Sequence, residues 1–396
     1  MPCSTPHSAA PLFTLGPGAL ARLMANFARQ IQTGLARDGE RVAALPAWLP
    51  RPAAGLEGVA VVVDLGGTHA RAALVALCTE GGLHLLAGPV TAPVPGVNDP
   101  SVTREAFFDA QAALVAALDP PAGLPIGYCF SFPAAVQPDG DARLVRWTKD
   151  LRVSGVEGER VGALLVAALR RRGLVPGPVR VLNDTVAALL AGARRAGAEH
   201  AHVIGLVVGT GTNMASFFPR ARLPKLPGEG PDIAVNLESG NLEPCELTQW
   251  DLELDDSCDN PGRQGFEKAV SGRYLPRLAA LALGDPSLCD LAEGAGALVR
   301  LRAGEGEAAE VARAILDRSA DLVACGLAAL IEALGPGRIL VAAEGGLFWK
   351  AGGYAARVAV TLGTLLGDSG RVDIARIDDA NLEGAAVAAL SAGGAA

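Results

Sequence analysis

An α/β protein of two similar halves that enclose a cleft is the fold the sequence predicts, on three observations. The chain has 396 residues, and single hydrophobic cores stop growing at about 250–300 residues, so two cores are expected. An apolar strand, a Gly/Thr turn and a second strand occur twice, as VAVVVDLGGTHARAALVAL (59–77) and AHVIGLVVGTGTNMASFF (201–218). Between them VRVLNDTVAALLAG (179–192) passes from a β-branched run through three polar residues into an Ala/Leu run of helical character. That is the strand-to-helix step of an α/β sheet.

In chain order, Leu20, Leu23, Met24, Phe27 and Ile31 recur at three- and four-residue spacing and predict an amphipathic helix over 18–37. The Pro/Gly-rich stretch from Pro46 to Gly58 reads as a connector. The 59–77 segment reads as a hairpin with glycines at its turn. A helix near 104–118 and a strand at 126–132 follow, then a helix from Glu159 to Arg172 whose three final arginines suit the negative end of its dipole. Residues 225–379 alternate turn-rich loops with helices such as 306–334, and RILVAA (338–343) reads as a strand. An Ala-rich helix is expected over 381–392.

Composition narrows the function. Hydrophobic residues make up 50% and charged ones 19%, which fits a globular protein. The net charge is −8 and lysine occurs only at Lys149, Lys225, Lys268 and Lys350, which speaks against a polyanion partner such as nucleic acid. Seven scattered cysteines without a CxxC suggest neither a disulfide framework nor a zinc site. No apolar run approaches the ~18–20 residues that span a bilayer, and the first twenty residues lack a basic, uninterrupted signal pattern. No membrane association and a cytoplasmic location are therefore expected.

DLGGT and VGTGT are the strongest local signals. Glycines let backbone N–H groups approach an anion and the threonine hydroxyls add donors, which is phosphate-cradle chemistry; a plain hairpin turn is the alternative for either loop alone. A Walker A loop is excluded because no Gly-Lys dipeptide occurs. GTGTNM carries Met214 where the dinucleotide fingerprint needs glycine, and no protein-kinase motif set is present. Asp64 ends a buried strand, where an ionised carboxylate needs a partner or a cation. Hydrated Mg²⁺ beside bound phosphates and an ion pair with Arg71 both satisfy that need. Asn183, Asp184 and Thr185 are all good helix N-caps, and they also stand at the carboxyl end of a strand, where open α/β sheets place ligand chemistry.

Read together, FSFP (130–133), WTKDL (147–151), LNDT (182–185), VGTGTN (208–213), NLESGN (236–241) and NPGRQGFEKAVSGRYL (260–275) resemble, in the same order, the hexokinase/glucokinase family. GLARDGERVAALPAWLP (34–50) is similar to that family's N-terminal helix and following segment. The resemblance implies the sugar kinase, actin and Hsp70 fold: two ribonuclease-H-like domains, small and large, with a cleft between them. It implies a small domain over 59–182 completed by the C-terminal helix 381–396. The large domain is then 183–380, with the N-terminal helix and connector of 1–58 packing on it.

By the same resemblance Ser131, Thr148, Lys149, Asn183, Asp184, Asn213, Glu238 and Glu267 match the positions that hold the sugar hydroxyls. Asp184 is the expected base for the primary hydroxyl, Lys149 the second catalytic group and Thr185 the helix cap. Asp64, Gly66, Gly67, Thr68 and Arg71 match the first phosphate loop; Gly209, Thr210 and Gly211 match the second. VAAEGGLFWK (341–350), with Gly345 at its turn, is similar to the adenosine segment. The implied reaction is ATP-dependent phosphorylation of a hexose, D-glucose first, at its 6-hydroxyl, with Mg²⁺ held by Asp64 through water. A kinase for mannose, fructose or a hexosamine, a silent sugar sensor, and a nucleotide-driven module of the actin or Hsp70 kind are the alternatives. The chain departs from the family pattern at His69, Asp150-Leu151, Ser239 and Glu344, and at ANLEGAA (380–386), where GSGKGAA is usual.

Overall fold

The computed structural model describes residues 8–79, 82–97, 99–148, 151–226, 228–288, 294–368 and 370–391. Among them thirteen strands, β1 (Leu45–Pro50), β2 (Gly58–Leu65), β3 (His69–Cys78), β4 (Gly82–Pro93), β5 (Ile126–Phe130), β6 (Ala134–Val136), β7 (Ala142–Leu144), β8 (Val179–Leu182), β9 (His200–Val208), β10 (Thr212–Phe218), β11 (Ile233–Asn236), β12 (Arg338–Glu344) and β13 (Val372–Ala375), form three sheets. The smaller lobe is built on the order β4-β3-β2-β5-β8 and the larger on β1-β11-β10-β9-β12-β13, while β6 and β7 form a ribbon. This is the two-lobed α/β fold that the repeated strand–turn–strand pattern predicted.

Strand β2 shows why the pattern folds this way. Its side chains alternate between two faces, and both faces are apolar because both are covered. Val61 and Val63 enter the smaller lobe's core with Phe107, Phe108 and Leu165. Ala60 and Val62 enter a second core shared by the lobes, with Leu189, Val203 and Leu382. In the larger lobe the helix Glu307–Leu334 is buried along most of its length, and the helices Pro17–Ala36 and Tyr354–Leu366 pack on it.

Two segments differ from the sequence expectation. The Pro46–Gly58 connector begins as β1, which pairs antiparallel with β11, Leu45 opposite Asn236. Its prolines fit because β1 is an edge strand, where a missing N–H costs no ladder bond. The indole N–H of Trp48 then donates to the Val136 carbonyl at 3.1 Å and ties this edge to β6. Strand β4, the edge of the smaller sheet, was not anticipated; much of it is exposed and its apolar residues do not alternate.

Between the lobes lies the helix Ala380–Leu390, against β2, β5, β8 and the helix Asp184–Arg195. A Cβ on Gly127 would fall 2.0 Å from the Ala385 carbonyl oxygen, and one on Gly384 would fall 2.0 Å from that of Ala187. The helix is thus seated backbone to backbone on both sides. Glu383, at the lysine position of the usual GSGKGAA pattern, is fully buried and accepts from Arg194 at 3.2 Å and Arg195 at 2.8 Å. Arg194 also donates to the Leu56 and Cys78 carbonyls.

Candidate active site

Strands β2, β5 and β8 run parallel side by side, so their carboxyl ends share one edge. That register places Asp64, Ser131 and the Asn183-Asp184 pair along the edge of the smaller lobe. The Ser131 N–H continues the ladder to the Leu65 carbonyl at 3.1 Å. Gly66, Gly67 and Thr68 form the turn from β2 into β3, closed by Gly66 N–H on the His69 carbonyl. Arg71 lies directly across the ladder from Asp64, and its Nε donates to Asp64 Oδ2 at 2.9 Å. Its other arm reaches Asp379, ahead of the interlobe helix, at 3.1 Å. Asp64 Oδ1 is buried with no hydrogen-bond partner. The ion pair therefore exists, and one oxygen of the carboxylate remains for a ligand. A hydrated divalent cation fits that oxygen, because magnesium retains its waters and takes few protein ligands.

The helix Asp184–Arg195 begins at the end of β8. Its N-cap is Asn183, whose side-chain oxygen accepts from the Thr185 N–H at 2.9 Å. This corrects the assignment of the cap to Thr185, whose side chain is fully buried under the first turn. Asp184 is half-buried, and its Oδ1 accepts from the Thr185 N–H at 2.8 Å and hydroxyl at 3.3 Å. Among the described residues no hydrogen bond reaches Oδ2. Cys129 lies below this edge. Burial pushes its thiol well up, and the nearby carboxylates of Asp64 and Asp184 add to the effect.

The larger lobe presents the matching edge. Gly209, Thr210 and Gly211 form the turn from β9 into β10, closed by Gly209 N–H on the Gly211 carbonyl at 2.9 Å. Asn213 on β10 donates to Asn236 Oδ1 at 2.7 Å, and Asn236 donates to Glu238 Oε1 at 2.8 Å. Glu238 holds a left-handed backbone, φ 54°. Glu267 accepts from the Thr212 N–H at 3.3 Å and from Gln264 at 3.1 Å. Asn236, buried at 6% exposure, was not singled out from the sequence. The available signal was its place as the one polar residue closing the buried strand Ile233–Asn236. Asn183 and Asn236 border one narrow crevice, otherwise lined by apolar residues such as Leu45, Phe130 and Val181, so the two edges approach each other there. Thr148 is half-buried, its carbonyl accepting from Leu151; Lys149 and Asp150 lie outside the described residues.

Gly345 ends β12 with φ +111°, and a Cβ there would fall 2.2 Å from the Val208 carbonyl oxygen. Its Cα lies against Gly209, so the Gly209–Gly211 turn and the turn after β12 form one unit. Gly345→Ala is expected to destabilise the fold by on the order of 1–3 kcal/mol through backbone strain. Urea titration checks this, and nucleotide affinity falls with it.

Glu344 precedes that turn, and its Oε1 is buried without a partner. Burial pushes its carboxyl up to about 7; Asp378 and Asp379 add to this while Arg376 and Arg71 oppose it. The folded chain therefore keeps a proton that the unfolded chain releases near its ordinary 4.5, and stability falls as pH rises from there towards 7. Glu344→Gln is expected to melt above the parent at pH 8 and level with it near the ordinary value, as thermal scans at both pH values would record.

Comparison with known proteins points one way. Residues 7–194 match one family model described as hexokinase, and residues 203–299 and 307–391 match a second of the same description. Hexokinase-2 of Candida albicans is 30% identical over 290 residues, 68% of this chain and 59% of that protein. Hexokinase-1 of Oryza sativa subsp. japonica is 33% identical over 282 residues, 67% of this chain and 56% of that protein. The match thus spans less than two thirds of the length of either relative. A solved hexokinase from Schistosoma mansoni, complexed with glucose, shares the fold with a TM-score of 0.83 at 24% identity, over 96% of this chain and 97% of that one. A Streptomyces griseus ROK family glucokinase, in complex with glucose and AMPPNP, has a TM-score of 0.54 at 22% identity, over 84% of this chain and 99% of that one.

Proposed function

The chain belongs to the hexokinase family, and from that premise we propose that it transfers the terminal phosphoryl group of ATP to the 6-hydroxyl of a hexose, D-glucose first. The observation that carries the reading is the facing of two polar strand ends: Asn183 beside the candidate base, Asp184, on one lobe, and the amide network of Asn213, Asn236 and Glu238 on the other, with Asn183 and Asn236 bordering one narrow apolar crevice between them. A sugar offers many hydroxyls and no charge, so selection needs several fixed polar groups that the wrong epimer would leave unpaired.

Asp184 takes the proton of the 6-hydroxyl on Oδ2 while Thr185 holds Oδ1. Ser131, Thr148, Lys149, Asn183, Asn213, Glu238 and Glu267 hold the remaining hydroxyls, and Lys149 also offsets charge on the transferring group. The turns Gly66–Thr68 and Gly209–Gly211 offer backbone N–H groups to the phosphates, with Gly345 at the adenosine side. Asp64 would hold a hydrated Mg²⁺, which would supply charge neutralisation at the donor phosphates. We take 59–182 with the helix from 381 as one closing body and 183–380 with 1–58 as the other. Their approach expels water that competes as acceptor.

The test is ADP release, followed by a coupled assay over a panel of hexoses and hexosamines, with ATP, GTP and pyrophosphate as donors. Glucose with ATP is expected to give the highest kcat/KM. Sugar binding without turnover for every donor would replace the kinase reading with a sugar sensor. No helix of the described residues is long and apolar enough to cross a membrane.

A further inference from the structure

We propose that Asn236 is a positioning residue that sets the polarity of the sugar site through Asn213 and Glu238. The inference rests on the sugar-kinase reading above and extends it to a residue outside the expected ligand set.

A side-chain amide can present either its oxygen or its nitrogen to a neighbour, so something must fix the choice. Here the backbone fixes it. Asn213 Oδ1 accepts from the Met214 N–H at 2.8 Å and the Ser239 N–H at 3.0 Å. Backbone N–H groups are donors only, so the Asn213 oxygen is committed to them and its nitrogen faces Asn236. Asn236 must then answer with its oxygen, at 2.7 Å, and that oxygen also accepts from the Glu238 N–H at 3.3 Å. The Asn236 nitrogen is left to face Glu238 Oε1, at 2.8 Å. Polarity passes in one direction, from two backbone donors through two amides to a carboxylate. Asn213 is thereby held with its nitrogen on Asn236, which leaves one N–H of that amide as a donor for a ligand, and Glu238 is held as an acceptor. Ser239, where the family usually has Trp, is fully buried and supplies one of the two backbone donors, with its hydroxyl at 3.4 Å from the same oxygen.

The Asn236→Asp substitution keeps the shape and removes only the donor. An acidic oxygen then meets Glu238 Oε1, and the two carboxyls can remain in contact only by sharing a proton. Lowering the pH supplies it. Glu267 on the neighbouring helix and Asp184 beside Asn183 are present in parent and variants alike, so the readout is the variant-to-parent ratio at each pH.

The experiment measures equilibrium binding of D-glucose to the full chain by calorimetry, without nucleotide, for the parent, Asn236→Ala and Asn236→Asp at pH 6 and pH 8. Melting curves accompany each sample. Truncation to alanine is expected to weaken binding by ~10-fold or more, as the loss of hydrogen bonds to a charged partner implies. In turnover, the sugar KM rises while the ATP KM stays put. For Asn236→Asp the dissociation-constant ratio to parent is expected to fall several-fold between pH 8 and pH 6, a change that a purely structural defect does not produce. The aspartate variant carries the test if the alanine variant does not fold. Binding within twofold of parent for the alanine variant, or a flat ratio for the aspartate variant, would overturn the inference and leave the kinase reading standing. A parent that binds no hexose would overturn both.

Discussion

Asp184→Ala is expected to lower kcat for sugar phosphorylation by about 10²–10⁴, the usual contribution of a positioned general base, while glucose affinity changes by only a few-fold. The reason is the division of its two oxygens. Oδ1 is committed to Thr185, which fixes the carboxylate plane. Oδ2 has no hydrogen bond among the described residues and is the atom left to receive a proton. Asn183, which caps the same helix, is expected to stay in place when Asp184 is truncated, so the sugar contact proposed for it is retained. Asp184→Asn sharpens the test, since its side-chain oxygen still accepts from Thr185 but the group is no longer a base. Stopped-flow turnover beside calorimetric glucose binding separates the two effects. Full turnover in either variant would remove Asp184 from the role.

Arg318→Met is expected to cost about 3–5 kcal/mol of folding stability, the range for removing one partner of a buried ion pair. Arg318, 1% exposed, donates to both oxygens of Asp251 at 2.7 Å, and its guanidinium lies 4.8 Å over the Phe13 ring. Asp251 also closes a capping box with Thr248. Burial alone would push the Asp251 carboxyl up; Arg318 and Thr248 outweigh it and hold it below the ordinary range. The pair's stabilisation is therefore present above the ordinary aspartate pKa and is lost as pH falls through the lowered value. Guanidinium denaturation at pH 7 should show the full cost, and the gap between parent and variant should narrow in acid. An Asp251→Leu/Arg318→Met double variant should recover much of the loss, because no uncompensated charge remains.

What the sequence disclosed follows the reach of each interaction. The hairpin of β2 and β3 was legible because Gly66 and Gly67 interrupt two buried runs, and the helix Pro17–Ala36 because its apolar stripe has one period. Strand β1 was hidden by its prolines, since only the sheet shows that it sits at an edge. The cap at Asn183 could not be separated from Thr185 by type, because both residues cap well and burial decided between them. Asp64 with Arg71 was readable as a pair, being seven residues apart across a tight hairpin, yet the orphaned Oδ1 appears only when the neighbours are placed. Asn236 was missed because, although Glu238 stands only two residues on, its other partner Asn213 meets it only through the pairing of β10 with β11. The raised Glu344 carboxyl likewise depends on Arg376, Asp378 and Asp379, which another strand brings close.

The helix Ala380–Leu390 covers a face of a sheet whose last strand ends at Leu182. During synthesis the strands β2 to β8 therefore emerge before the helix that covers Ala60, Val62, Cys129 and Leu182, which is made only after β9 to β13. Long-range closure of this kind slows folding and leaves apolar surface open to aggregation. The smaller lobe is thus unsuited to an early, independent existence on the ribosome, and the demand for chaperone protection should fall on the nascent chain between these two points.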